Sequence, residues 1–207
     1  MRFGRRAKNR IRNRIKKTRM EAEAQRHLEL GEHELRDEAT VSCFERALPH
    51  FARAATMHSA QAQYNLGCMY ARGDGVAQDD ATSARYFEAA AAQGVPEACY
   101  NSGLACYAAG DYERALAHFE RAPGMSSAML NAGAMYETGL GAEADLARAY
   151  ECFVKAADLG HASAQVKAAR MLAAGTGVAV NAAEAQRYFC LAAAQGDREA
   201  MERAEVL

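Results

Sequence analysis

Three asparagines recur at matching places in this chain of 207 residues. Asn65, Asn101 and Asn131 each stand two residues before a glycine: Gly67, Gly103 and Gly133. An amide offers a donor and an acceptor together, so a row of them suits the main chain of an extended peptide whatever its side chains. Lys167 holds the same place before Ala169, and Arg170 follows it. Together these two could receive a carboxylate, with Gln61 and Gln165 as neighbours on the same helical faces. Two alternatives stay open: each Asn bonds within its own helix pair, and the two cations form a solvated face.

Catalytic chemistry finds no foothold. The loops Ala71-Arg-Gly-Asp-Gly-Val76 and Ala174-Gly-Thr-Gly-Val178 lack the Lys-Ser/Thr of a phosphate-binding loop, and they do not follow strands. The six histidines (His27, His33, His50, His58, His118, His161) have no metal-ligand spacing and read as surface or turn residues. The six cysteines (Cys43, Cys68, Cys99, Cys106, Cys152, Cys190) are scattered with no Cys-x-x-Cys, so a zinc site is not expected. They read as small buried hydrophobes in a reducing compartment. No Gly-x-Ser-x-Gly elbow is present. The expectation is a protein with no enzymatic activity, no metal and no cofactor.

The elements that position the asparagines follow from a repeat. After Gly67 come Tyr70, Gly73, Gly75, Asp79, Phe87 and Gly94. After Gly133, at the same offsets, come Tyr136, Gly139, Gly141, Asp145, Phe153 and Gly160. After Ala169 come Leu172, Gly175, Gly177, Asn181, Phe189 and Gly196. The unit around Gly103 is shorter and turns at Gly110-Asp111 instead. Gly31 marks a weaker unit ahead of these. A fixed period of this length signals stacked helix pairs, none of which buries its apolar face alone.

The spacing predicts first helices at 60–72, 96–109, 126–138 and 161–174. Second helices are expected at 80–93, 111–122, 145–159 and 181–195, with a closing half-unit at 197–204. Small residues let the paired helices approach. The paired glycines end the first helix where positive φ is cheapest. Asp79, Asp111, Asp145 and Asn181 cap the second helix. Phe87, Phe119, Phe153 and Phe189 fill the space between helices, and Met69, Met135 and Met171 belong to the core.

The phrase Leu-Gly-x-x-Tyr-x-x-Gly-x-Gly-Val-x-x-Asp, followed by an aromatic pair and Ala-Ala-x-x-Gly, resembles the Sel1-like repeat, a branch of the tetratricopeptide class. The resemblance covers roughly residues 21–204. It implies an all-α, right-handed superhelix of about five helix pairs that binds partners and does no catalysis. It implies that first helices line the concave wall, where asparagine ladders of tetratricopeptide superhelices are found. A cysteine-rich secreted branch staples each helix pair with a disulfide. Cys99 holds one of its two positions, but the partner position holds Ala91, so the resemblance implies no staple here.

Charge is distributed unevenly. Residues 1–20 carry ten basic residues and no acidic one, leaving 15 basic against 26 acidic, a net of −11, in the remainder. Domains are accordingly expected as a basic arm at 1–20, a capping repeat at 21–58 and a repeat domain at 59–207. Ala7, Ile11 and Ile15 would give the arm a thin apolar stripe on a basic helix. Arg5, Arg6, Arg10, Arg12, Arg14, Lys16 and Lys17 are its candidate contacts to an anion or nucleic acid. Three readings compete for the arm: a targeting segment, a contact to RNA or another anionic surface, and a plain tail or a strap on an acidic solenoid. No run of about 18 apolar residues spans a membrane, and the N-terminus has no apolar core of a secretory signal. The expected function is a scaffold or adaptor that binds a peptide or partner subunit. The alternative is a structural subunit of an RNA-containing or large multi-protein assembly, ribosome-like for example. The expected compartment is the cytoplasm, with the mitochondrion as alternative.

Overall fold

The computed structural model describes the backbone of residues 2–35 and 41–204, and the side chains of 12–35 and 42–203. Among the described residues the chain is entirely helical, with no strand. It forms two compact units, Met1–Val95 and Pro96–Leu207.

The first unit holds α1 (Arg2–Glu34), α2 (Val41–Thr56), α3 (Ala60–Arg72) and α4 (Asp80–Ala92). The second holds α5 (Pro96–Ala108), α6 (Tyr112–Glu120), α7 (Ser126–Thr138), α8 (Leu146–Asp158), α9 (Ala162–Ala174), α10 (Ala182–Ala193) and α11 (Arg198–Ala204). Within each unit, successive helices pack on one another in chain order. The helices fall within one or two residues of the sequence expectation, except at the N-terminus. There the charge boundary at residue 20 lies inside α1, which continues across it. Helix α2 also runs on through Pro49.

The repeated small residue has one packing job. A Cβ added at Gly31, Gly67, Gly103 or Gly133 would meet the ring of Phe51, Phe87, Phe119 or Phe153 at 2.5, 2.6, 2.6 and 2.6 Å. All four rings lie 8 % exposed or less, so each pair is locked together in the core. From Gly67 onward, an alanine five residues ahead of the small residue (Ala62, Ala98, Ala128, Ala164) is wholly buried in each of the four units. That row of methyls keeps neighbouring helix axes close.

The paired glycines divide their work. Gly73, Gly139 and Gly175 are left-handed C-caps whose N–H donates to the carbonyls of Met69, Met135 and Met171. The second glycine of each loop also has positive φ, and it abuts an earlier second helix. A Cβ on Gly75 would strike Phe44 and Glu45, one on Gly141 would strike Tyr112, and one on Gly177 would strike Leu146. Asp79, Asp111, Asp145 and Asn181 cap the second helices by accepting first-turn amide hydrogens, as their spacing predicts.

Two residue classes depart from expectation. His118 is buried at 5 % exposure, because it lies beside Phe119 on the inner side of α6 rather than at a turn. Cys43, Cys99 and Cys152 are buried, Cys68 and Cys106 are half-buried, and Cys190 is exposed on α10. All six are free thiols.

Candidate binding face on the first helices

The asparagine positions occupy equivalent places on α3, α5 and α7, each half-buried. In the first unit, Asn65 Oδ1 accepts from Gln61 Nε2 at 3.2 Å, so this amide is partly satisfied within its own helix. In the second unit, Asn101 and Asn131 have no side-chain hydrogen bond among the described residues. Their donors and acceptors remain available.

Asn131 borders a cleft of about 330 Å³ between α5 and α7. Leu104, Tyr107, Ala134, Met135, Thr138 and Leu140 line it, and the Phe119 ring from α6 contributes to its lining. Leu104 and Tyr107 are 40 % and 43 % exposed, large apolar groups held open to solvent. Neither belongs to the repeated pattern. Their signal lies in register: other repeats place Cys68, Ala134 and Arg170 where Leu104 stands, and Ala71, Glu137 and Ala173 where Tyr107 stands.

The cationic and glutamine candidates are placed differently from expectation. Lys167 Nζ lies 2.7 Å from Glu137 Oε2 and 4.9 Å from the centroid of the Phe153 ring. Arg170 Nε lies 3.3 Å from Glu199 Oε1. Both charges therefore have a carboxylate of their own chain. Gln61 is exposed on α3. Gln165 is 3 % exposed and spent internally: its Nε2 donates to the Ala157 carbonyl at 3.2 Å, and its Oε1 accepts from Gln195 at 2.9 Å. Counted from the small residue, Gln165 shares the register of Gln63, not of Gln61, and that register faces the core.

On α1, Arg12, Arg14, Lys16 and Lys17 are exposed, and Lys17 lies 3.7 Å from Glu21. The side chains of Arg5, Arg6 and Arg10 lie outside the described residues. No cluster of three or more His, Cys, Asp or Glu able to hold a metal exists among the described residues. None of their helices is long and apolar enough to cross a membrane.

The perturbed acids serve structure. Tyr136 donates to Glu120 Oε1 at 2.5 Å; burial first, and that carboxylate second, push its phenol well above the ordinary tyrosine range. Tyr188 donates to Asp158 Oδ1 at 3.1 Å and is pushed up to about 12, chiefly by burial. Arg148 and Arg187 lie over these two rings, 4.2 and 4.3 Å from the centroids. Each phenol ties a helix to the end of an earlier second helix, and neither reaches an open cleft.

Helix pairs packed in sequence, four of them with a glycine set against a phenylalanine ring, define a helical-repeat protein. The Sel1 repeat pattern matches residues 60–95, 96–122, 126–161 and 162–197, more than half of the chain, which therefore belongs to the Sel1 repeat family. Its similarity to a Sel1 repeat protein from Oxalobacter formigenes is 29% in sequence, covering 87% of this chain and 76% of that one, with a TM-score of 0.73. It is also similar to c5321, a protective antigen of uropathogenic Escherichia coli strains with the same repeat fold. There the identity is 26%, with 93% of this chain and 50% of that chain covered, at a TM-score of 0.52. No curated protein matches the chain.

Proposed function

We propose that the protein is a non-enzymatic scaffold that holds an extended peptide segment of a partner on the first-helix face of its second unit. The observation that carries this reading is the pairing of open amides with an open apolar cleft. Asn101 and Asn131 can each grip a peptide bond, donor to carbonyl and acceptor to N–H. The adjoining cleft, with Leu104 and Tyr107 at its edge, takes an apolar side chain between those grips. Main-chain amides give affinity with little sequence demand, and the cleft supplies the preference. Family membership supports a role in protein interaction.

Selection from a displayed peptide library on the intact chain tests this. The expected outcome is enrichment of extended peptides sharing one apolar anchor, lost when Leu104 and Tyr107 are both changed to Ser. Failure to enrich any peptide, on a chain shown to be folded, would contradict it.

A second reading rests on α1. Its described basic side chains Arg12, Arg14, Lys16 and Arg19 lie exposed on a continuous helix and make no ion pair among the described residues. An RNA phosphate backbone would find them available. Deletion of residues 1–20 should abolish a steeply salt-dependent RNA affinity if this reading holds, and should leave peptide selection unchanged. Persistence of RNA affinity after the deletion would remove it.

A further inference from the structure

His27 on α1 faces His50 on α2. The two helices pack through Ala24, Leu28, Ala47, Phe51 and Ala54, all buried. Gly31 lies against the Phe51 ring, which holds the helix axes close. Three cross-helix pairs follow one another along this seam. Glu23 meets Arg53 at 3.3 Å, His27 meets His50, and Glu34 meets Arg46 at 2.6 Å. Acid faces base at both ends, and imidazole faces imidazole between them. The two histidines are 23 residues apart in the chain, so no spacing rule displays them. Counted from the small residue, the other full-length pairs hold Gln63 and Tyr86, Met129 and Cys152, and Gln165 and Tyr188 at these places. The histidine pair is therefore not part of the repeat, and it lies ahead of the four matched units, which begin at residue 60.

Its geometry is that of a chelate. The two Nδ1 atoms are 3.5 Å apart and the ring centroids 5.8 Å apart, with the planes 28° from parallel. The centroid separation exceeds the nitrogen separation by the radii of the two rings, so the nitrogens point toward one another. The gap is longer than an ordinary hydrogen bond from N–H, about 2.7–3.2 Å. An ion bonded to both nitrogens at about 2.0–2.1 Å, with a tetrahedral angle between them, would hold them about 3.4 Å apart. Neither helix has to move for that. Each ring need only turn about its soft χ2 torsion to aim its lone pair at the ion. Imidazole nitrogen suits a borderline transition ion, whereas magnesium and calcium take oxygen.

We propose that His27 and His50 together bind one divalent transition-metal ion of the zinc kind across the seam of α1 and α2, with water completing its coordination. Both rings are half-buried, so solvent reaches the site. The flanking charges, Glu23 with Arg53 and Glu34 with Arg46, cancel and set no net charge against a dication. Two ligands from the chain hold an ion more loosely than a closed four-residue site, so occupancy follows the supply of metal. When bound, the ion clips α1 to α2, and α1 carries the exposed basic side chains Arg12, Arg14, Lys16 and Arg19.

The test titrates the full chain with zinc chloride by isothermal calorimetry. Cys190 is exposed, so Cys190→Ser serves as the parent to remove a competing thiol. The parent should take up one ion at this site, and either His27→Gln or His50→Gln should weaken that uptake by about tenfold or more. Zinc should also slow amide hydrogen exchange across residues 24–31 in the parent and in neither variant, an effect that a purely structural histidine pair would not produce. A second measurement needs no histidine variant: of the chain's six histidines, His27 and His50 should show the first shifts in their ring resonances when paramagnetic cobalt(II) is added. Unchanged zinc affinity in both folded variants, cobalt shifts spread evenly over all six histidines, or no uptake by the parent would overturn the proposal.

Discussion

Gln195 donates its side-chain amide to Gln165 Oε1 at 2.9 Å, while Gln165 donates in turn to the carbonyl of Ala157 at 3.2 Å. The same relay appears in the first unit, where Gln93 donates to Gln63 at 2.7 Å and Gln63 to Ala55 at 3.5 Å. Each relay stitches three successive helices through one buried amide. The corresponding place is Cys99 in the second repeat and Met129 in the third, so the fold accepts an apolar solution there too.

A single Gln165→Met substitution should therefore cost only about 1 kcal/mol, because it removes both relay bonds while the Ala157 carbonyl keeps the Gly160 N–H at 2.9 Å and the exposed Gln195 amide turns to solvent. The double variant Gln165→Met/Gln195→Leu imitates Met129 and Leu159 of the third repeat and should recover part of that loss. Urea denaturation of the three proteins decides it. A double variant less stable than the sum of its singles would contradict the relay.

The glycine–aromatic lock predicts a graded response at Gly133. Its Cβ position lies 2.6 Å from Phe153 Cε1, so a larger residue must displace the ring. Gly133→Ala should change stability by less than about 2 kcal/mol, since helix propensity offsets the crowding, and Ala169 shows that an alanine fits this place beside Phe189. Gly133→Leu should be far worse, and Phe153→Leu should relieve it. Thermal melts of the pair, singly and together, should show coupling of the opposite sign to the single losses.

Gly177 and Gly160 both have positive φ, 70° and 87°, yet their surroundings differ. A Cβ on Gly177 would strike the Leu146 backbone, whereas one on Gly160 meets nothing within 4 Å. Gly160→Ala should cost only the left-handed strain, about 1–2 kcal/mol. Gly177→Ala should cost clearly more, because the loop must also leave α8. Equal losses in chemical denaturation would show that the loop is not seated on that helix.

The helical architecture was legible because every repeated residue performs one packing task at a constant offset. Gly133 and Phe153 recur as Gly67 and Phe87, and Asp145 recurs as Asp79, so lengths and caps followed directly. The candidate site was only partly legible. Asn101 and Asn131 share one register on α5 and α7, and neither makes a side-chain hydrogen bond among the described residues. Lys167 and Arg170 do not stand free, because Glu137 and Glu199 reach them from neighbouring helices, a pairing that periodicity alone does not display. Gln165 stands two residues off the register of Gln61, and on a helix that turns a side chain from the surface into the core. Leu104 and Tyr107 carry no periodic signal, because the cleft they edge is built from residues that do not recur.

Alkaline pH should weaken the fold through its buried phenols. The folded-state values of Tyr136 and Tyr188 are raised, the latter to about 12, above the ordinary tyrosine value of about 10. Their contribution is complete below pH about 10 and is lost as pH rises toward 12. Tyr136→Phe/Tyr188→Phe should be less stable than wild type at pH 8, yet lose less stability between pH 10 and 12. Parallel slopes for the two proteins across that window would contradict this assignment.

The central claim is that the open amides of α5 and α7 hold a partner's main chain. Fluorescence anisotropy with a library-selected peptide, comparing wild type with Asn101→Ala/Asn131→Ala, tests it most directly. Two lost amide grips predict an affinity weakened by about tenfold or more at an unchanged melting temperature. Undiminished affinity in the folded double variant would contradict it.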